Sequence, residues 1–520
     1  MYLKRVLSQS SVLFAATIVD SGLGYVFRLL LARQLTLGEY GLFYSLFAFF
    51  SFFILFVDLG FKQALPKYVI SFLIGKDYAK AKGALLVGLR YFVSTALLLA
   101  SIFFLFAKPI ISSVFKSDNT LPYLLMLLWF ASYPIELFLR SLFLSQQSMT
   151  KYAILSPTSK LFTIIFTVIG FSKGFHAAPF MAYALANLCL LALFFIPAAR
   201  LVPWWSTTKA DISKETITKL FTFSGYAAFI SLCWVIITNV NTVLLTALKD
   251  STQAGLYQIA LPLASLLTLA ITPLNSASYP LFFELYAKKA MTTLRDGANT
   301  FYKYIVVGLL PIALALISFP EVVIDILFGA EYIIASNTLQ ILTIGTFFFC
   351  IASFNIVFLC ATGREKRAAA TIGGFALINL ALSCSLIFTY GAIGVATASA
   401  ISFLLLMLVT TYYVNKYYGA TVPAKSWMLT IIIAIALVFF THYAKEMINL
   451  NIWIKIPIIG LACALIYVGA LLLTRIVDIK EITFFVNTAL SKDKQKLQST
   501  TRNTPKTTQT KKKKTRAKRQ

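Results

Sequence analysis

The sequence predicts an all-α integral membrane protein with about fourteen transmembrane helices. Hydrophobic residues make up 59% of the 520 and charged residues only 12%, and the mean hydropathy is +0.81. No soluble domain could keep such a composition from water without aggregating. Apolar runs of about 20 residues, long enough to cross a roughly 30 Å hydrocarbon layer as helix, recur along the whole chain. The runs of the first half also return in the second, which predicts two pseudo-symmetric six-helix bundles with two helices appended.

Taken in order, the first expected span covers residues 11 to 33. It is too long, too charged and too poor in small residues at its end to be a cleavable signal, so it reads as the first helix. The spans at 39 to 60, 84 to 107, 120 to 145, 153 to 172 and 177 to 198 complete the first set, with a basic loop after the second of them. The second set covers 220 to 248, 253 to 278, 302 to 319, 335 to 360, 370 to 389 and 392 to 414. The appended pair covers 428 to 444 and 452 to 475. Gly41 and Gly255, Phe115 and Phe328, and Leu121 and Leu339 occupy matching places in the two sets. Because each set has an even number of spans, the copies run in the same direction, as parallel repeats around an axis along the membrane normal. The expected division is an N-terminal bundle at 1 to 205, a C-terminal bundle at 206 to 420, the last two helices at 421 to 480 and a basic tail at 481 to 520.

Orientation follows from the basic residues of the short loops, which favour the cytoplasmic side. With the N-terminus inside, the inward loops hold Lys62, Lys67, Lys76, Lys80 and Lys82, and further on Arg200, Lys209, Lys288, Lys289, Arg364 and Arg367. The outward loops hold far fewer, among them Arg33, Lys116 and Lys249. Both termini are therefore expected in the cytoplasm, with the protein in the cell membrane. The tail, SKDKQKLQSTTRNTPKTTQTKKKKTRAKRQ, has no core-forming residues and reads as a disordered cytoplasmic segment attracted to anionic lipids. Tethered to so many membrane helices, it is not read as a nucleic-acid binder.

A charge near the centre of a membrane helix costs about 2.5 to 3.5 kcal/mol on insertion scales, so such charges face water or one another. The first half holds Asp20 and Arg28 on the first helix, Asp58 near the end of the second, Glu136 and Arg140 on the fourth, and Lys160 on the fifth. The last five spans hold almost none. Glu136 and Arg140 are four residues apart and can pair on one helix face. Asp20, Arg28 and Lys160 have no partner within reach on their own helices and are read as lining a pathway. Gly22, Gly24, Pro134, Pro157, Pro262 and Pro273 supply points where helices can bend beside these charges. The seventh helix adds Thr238, Asn239 and Asn241, expected to face the first helix by pseudosymmetry, although packing would use the same residues.

Several chemistries are missing. No Walker A loop, HExxH, GxSxG or histidine cluster occurs, and His176 and His442 are the only histidines. The six cysteines lie in apolar segments without paired spacing and read as small core residues, so neither a disulfide framework nor a zinc site is expected. No loop is long enough to carry a transferase site. The chain is read as a non-enzyme without a metal or cofactor.

The stretches RLLLARQLTLGEYGLFYSLF and FVDLGFKQALPKYV, the basic loop after the second helix and the six-plus-six-plus-two layout resemble the polysaccharide transporters, over about residues 5 to 475. These are the O-antigen and lipid-linked oligosaccharide flippases, within the multidrug/oligosaccharidyl-lipid/polysaccharide exporter superfamily. The resemblance implies two bundles that rock between inward-open and outward-open states and move a polyprenyl-diphosphate-linked glycan across the membrane for surface polysaccharide, such as lipopolysaccharide. It further implies that Arg28 and Lys160, with Arg140 as third candidate, bind the diphosphate. Tyr25, Asn239, Asn241 and Gln258 would line the cavity. Asp20, Glu136 and Asp58 would balance charge or take up a coupling H+ or Na+, and a glycan polymerase would be a partner. The competing readings are an ion-coupled multidrug extruder, a lipid II flippase and, last, a membrane glycan polymerase or ligase. The scarcity of ionisable residues in the second half speaks against the lipid II substrate, and the appended helix pair against the extruder.

Overall fold

The computed structural model describes residues 2–235, 239–447 and 452–474. The first half contains α1 (Tyr2–Gln34), α2 (Leu37–Asp58), α3 (Phe61–Ile74), α4 (Tyr78–Leu105), the short α5 (Ala107–Ser113), α6 (Leu121–Ser145), α7 (Met149–Ser172) and α8 (Ala178–Ala199). The second contains α9 (Lys214–Val235), α10 (Asn241–Leu248), α11 (Ser251–Ala264), α12 (Leu266–Ala287), α13 (Met291–Ser318), α14 (Pro320–Leu327), α15 (Ser336–Ala361) and α16 (Glu365–Tyr418). Two further helices follow, α17 (Ala424–Met447) and α18 (Ile452–Leu473), which pack on each other. The chain divides between Val422 and Pro423 into two compact units. No strand occurs among the described residues.

The order of elements repeats. The pair α2 and α3 corresponds to α11 and α12, α4 to α13, the short α5 to the short α14, and α6 to α15. The 54-residue α16 corresponds to α7 plus α8, because it holds a non-helical residue, Gly391, with φ of +56°. A side chain is strained at that angle. Gln253 on α11 fixes the break by accepting the Ala392 N–H at 2.8 Å. Even the caps correspond. Thr36 closes a capping box with Glu39 at the start of α2, and Asp250 accepts the Gln253 N–H at 2.8 Å at the start of α11.

Among the described residues, eleven helical stretches are long and apolar enough to cross a membrane, one of them the kinked α16. Two expectations need correction. The basic stretch after the second span is a helix: α3 buries Phe61, Ala64, Leu65 and Val69 on one side and leaves its lysines outside that set. Its i, i+4, i+8 apolar series outweighs its charge. The expected span at 253 to 278 breaks at Ser265 into α11 and α12, three residues after Pro262, and α12 runs on to Ala287. The expected span at 220 to 248 is described as α9 up to Val235 and as helix again from residue 239, with 236–238 outside the described residues. Thr238 lies outside the described residues, as does the tail from 475 on.

The two halves cross most closely where α2 meets α11. A Cβ on Gly41 would run into the carbonyl oxygen of Ser251, and one on Gly255 would lie 2.7 Å from that of Leu37. Only hydrogen fits between these backbones. Ser45 and Thr246, both fully buried, share a hydrogen bond one turn farther on. The core of the first half is aromatic, with the rings of Phe103, Tyr123 and Phe130 all in contact with that of Phe50.

Candidate functional site

Beside this crossing, α1 reaches across to the second half. Pro262 has no N–H, so the carbonyl of Gln258, four residues back, lacks its helical partner. Arg28 takes that place. Its Nη1 donates to the Gln258 carbonyl at 3.3 Å and to the Gln258 side-chain oxygen at 3.3 Å. The guanidinium lies over the Tyr44 ring, 4.4 Å from its centre, a geometry in which a weakly hydrated planar cation gains from the ring face. The carbonyl of Pro262 itself, near the end of α11, accepts the Tyr25 hydroxyl at 2.6 Å and the Ser265 hydroxyl at 2.7 Å. Gln258 is held in turn by donating to Thr242 on α10 at 2.7 Å.

Among the described residues, no carboxylate lies within ion-pair distance of Arg28. The other two expected cations are neutralised. Lys160 on α7 donates to Asp20 Oδ2 at 2.8 Å and to the Asp20 carbonyl at 3.0 Å, and its ammonium rests against Gly24, where a Cβ would approach it to 3.2 Å. The partner that neither Asp20 nor Lys160 has on its own helix is thus the other one. Arg140 donates from Nε and Nη2 to Glu136 Oε1 at 2.8 and 2.6 Å, the i, i+4 pairing that the spacing allows. Glu136 is buried, whereas the Asp20 and Lys160 side chains keep 24% and 33% of their surface exposed. Asp58 accepts the Lys62 N–H at 2.8 Å and so ties the end of α2 to the start of α3.

The polar residues expected on the cavity wall divide. Tyr25 and Gln258 meet Arg28's neighbourhood as described. Asn241 does not face α1: it is buried against α16, donating to Asn379 Oδ1 at 3.2 Å and Ser399 Oγ at 3.3 Å. Asn239 is half-buried.

Sequence reading passed over Tyr40, Tyr44 and Tyr332. The Tyr40 ring lies tilted against that of Tyr44, with centroids 4.8 Å apart, and its buried hydroxyl is without a hydrogen-bond partner. Tyr332 donates to the carbonyls of Ala32 and Leu35 at 2.9 and 3.1 Å, and Arg33 donates to the Ile326 carbonyl at 3.0 Å. These contacts clip the end of α1 to the segment after α14. A cavity of about 430 Å³ opens there, lined by Arg33, Gln34, Phe328, Glu331 and Tyr332 among others. The signal that was available for Tyr40 and Tyr44 was their spacing of four residues on the helix that follows Arg28.

Residues 6–286 match the family described as polysaccharide biosynthesis protein. An uncharacterised membrane protein of Methanocaldococcus jannaschii is 22% identical over 479 residues, which are 88% of this chain and 94% of that one. Among solved structures, the lipid II flippase MurJ in an inward closed conformation matches with a TM-score of 0.73 at 16% identity, covering 89% of this chain and 99% of that chain. A multidrug resistance MATE family transporter of the MOP superfamily, in an inward-facing conformation, matches with a TM-score of 0.60 at 14% identity, covering 79% and 95%. At these identities the likeness is one of fold.

Proposed function

The chain belongs to the polysaccharide biosynthesis protein family, and from that premise we propose that it is a flippase for polyprenyl-diphosphate-linked oligosaccharide. It is a multi-pass membrane transporter of that family with the fold of flippases and extruders. The proposal adds the substrate and its direction, from the cytoplasmic to the outer leaflet by alternating access.

One observation carries the reading: among the described residues Arg28 is a cation without a carboxylate, held between the two halves by backbone and side-chain oxygens of Gln258 and by Tyr44. Such a site has net positive charge and polar groups at a junction that must open and close. A diphosphate entering it would replace the Gln258 oxygens as acceptor with charge-assisted bonds. Arg28 is the primary diphosphate contact in this reading. Lys160 becomes available only when Asp20 releases it, and Arg140 only when Glu136 does. Asp20 then serves as the balancing charge, or as the group that takes up a coupling proton while Lys160 turns to the substrate.

The test is transfer of a fluorescent polyprenyl-diphosphate disaccharide across the membrane of proteoliposomes holding the intact chain. Arg28→Ala with Lys160→Ala should abolish transfer while the protein still inserts and stays monodisperse. Unchanged transfer in that variant removes the proposed diphosphate site. Export of cationic dyes without glycan-lipid transfer would assign the chain to the extruders instead.

A further inference from the structure

The end of α16 gathers cations that the transport reading leaves unused. Arg364 stands at the start of this element and Arg367 one turn on, while Tyr417 lies near its other terminus, brought back beside them by the turn at Gly391. The two guanidinium carbons lie 3.6 and 4.8 Å from the centre of the one Tyr417 ring. Lys416 places its ammonium 5.5 Å from the Tyr412 ring. Among the described residues, none of these three cations is in an ion pair, and neither is the neighbouring Glu365. Two guanidinium groups converging on one ring repel each other. The ring faces offset part of that, and an anion bridging both would offset the rest.

A second observation says what kind of anion. The returning limb of α16 carries Ile401, Leu405, Leu408 and Tyr412 at spacings of four, three and four, so they share one helix face, and all four are exposed. Lys416 follows at the next interval of four. On a membrane-crossing helix that face meets hydrocarbon, and its row of apolar side chains leads to Lys416, the residue next to the Tyr417 on which the two guanidinium groups lie.

We propose that this is a binding site for an anionic membrane phospholipid. The headgroup phosphate sits among Arg364, Arg367 and Lys416, and one acyl chain lies along Ile401, Leu405, Leu408 and Tyr412. A soluble phosphate would engage the cations alone and leave the stripe without a role. The site is independent of the Arg28 reading, since it lies wholly on α16 and needs no movement between the halves.

The intact chain in detergent, titrated with phosphatidylglycerol or phosphatidylcholine and followed by native mass spectrometry, tests this. Phosphatidylglycerol should be retained in preference. Arg364→Gln with Arg367→Gln should weaken it on the order of tenfold, whereas Lys209→Gln with Lys214→Gln, the same charge change elsewhere, should leave it within about twofold. Tyr417→Leu is the second variant should the arginine pair prove necessary for folding; it should also weaken binding. Inorganic phosphate should fail to displace the lipid. The proposal is overturned by equal retention in the arginine variant, by equal binding of the zwitterionic lipid, or by displacement with inorganic phosphate alone. Retention of farnesyl diphosphate by a protein that does not retain phosphatidylglycerol would assign the site to polyprenyl diphosphates and also end the phospholipid reading.

Discussion

The ammonium of Lys160 lies 2.8 Å from Asp20 Oδ2 and 3.0 Å from the Asp20 carbonyl, so a single side chain of α7 holds both the charge and the backbone of α1. The second carboxylate oxygen, Oδ1, is buried without a hydrogen-bond partner. With 24% and 33% of the two side chains exposed, the pair falls between a surface ion pair and a dry one.

Removing both partners therefore costs less than the two single removals added together. Lys160→Met strands a carboxylate that is already half-satisfied, and a loss of about 1–3 kcal/mol is expected, the lower part of the range for breaking partly buried pairs. Asp20→Asn with Lys160→Met should cost less than the sum of the single changes. Thermal unfolding in detergent reads all three. Strict additivity would mean that the two groups do not stabilise each other.

Arg28 depends on a backbone acceptor that Pro262 leaves open, which makes the proline a test of the site. Pro262→Ala restores an N–H that can bond the Gln258 carbonyl and continue α11 toward α12. Arg28 would then lose its backbone acceptor and keep the Gln258 side chain and Tyr44. A transfer rate lowered roughly tenfold is expected, the scale of one misplaced substrate-positioning group, with a protein at least as stable as the parent. Arg28→Lys should lower transfer similarly, because an ammonium cannot lie flat on Tyr44 while reaching two oxygens. Full transfer by Pro262→Ala would show that the opened carbonyl does not position Arg28.

These two relationships also mark how far the sequence could be read. The membrane class and the duplicated order of helices follow from apolar run length and offset, which are local or periodic. The Glu136 and Arg140 pair is legible because helical geometry places residues four apart on one face. Asp20 and Lys160 are 140 positions apart, and only packing of α1 on α7 brings them together. The α3 helix was hidden by its lysines: counting charge for orientation drew attention from the Phe61, Leu65 and Val69 series. Breaks such as Ser265 are harder still, since Pro262 marks a bend without saying whether the helix kinks or ends.

Outside the spans, Asp77 caps α4. Its Oδ1 accepts the Lys80 N–H at 3.0 Å and its Oδ2 pairs with the Lys80 ammonium at 3.0 Å. The Lys80 backbone N–H, then its side chain, hold the Asp77 carboxyl below the usual carboxylate range. A depressed folded value means that the contribution is complete above the unfolded value, near 4, and is lost as pH falls through the folded one. Asp77→Asn keeps a capping oxygen and removes the titration. The variant should therefore lose less stability than the parent between about pH 5 and pH 3, a difference of a few tenths of a kcal/mol for so exposed a pair. Parallel unfolding midpoints for the two proteins across that window would remove Asp77 from the acid response.

The crossing of Gly41 and Gly255 makes the firmest mechanical prediction. A methyl group at Gly41 meets the backbone of Ser251 rather than the end of a flexible side chain, so no rotamer change can admit it. Either α2 and α11 separate or the substitution is not accommodated, and overpacking of this kind costs about 1–3 kcal/mol. Separation also pulls Ser45 from Thr246 and carries α11 away from Arg28, because Gln258 lies one turn beyond Gly255 on α11. Gly41→Ala should thus lower both stability and glycan-lipid transfer, whereas Gly22→Ala, where a Cβ meets nothing within 4 Å, should spare stability. Cysteines placed at Leu37 and Ser251 on the two helices would report the spacing directly: cross-linking should slow in the Gly41→Ala background. An unchanged cross-linking rate together with unchanged transfer would mean that the halves do not need this close approach.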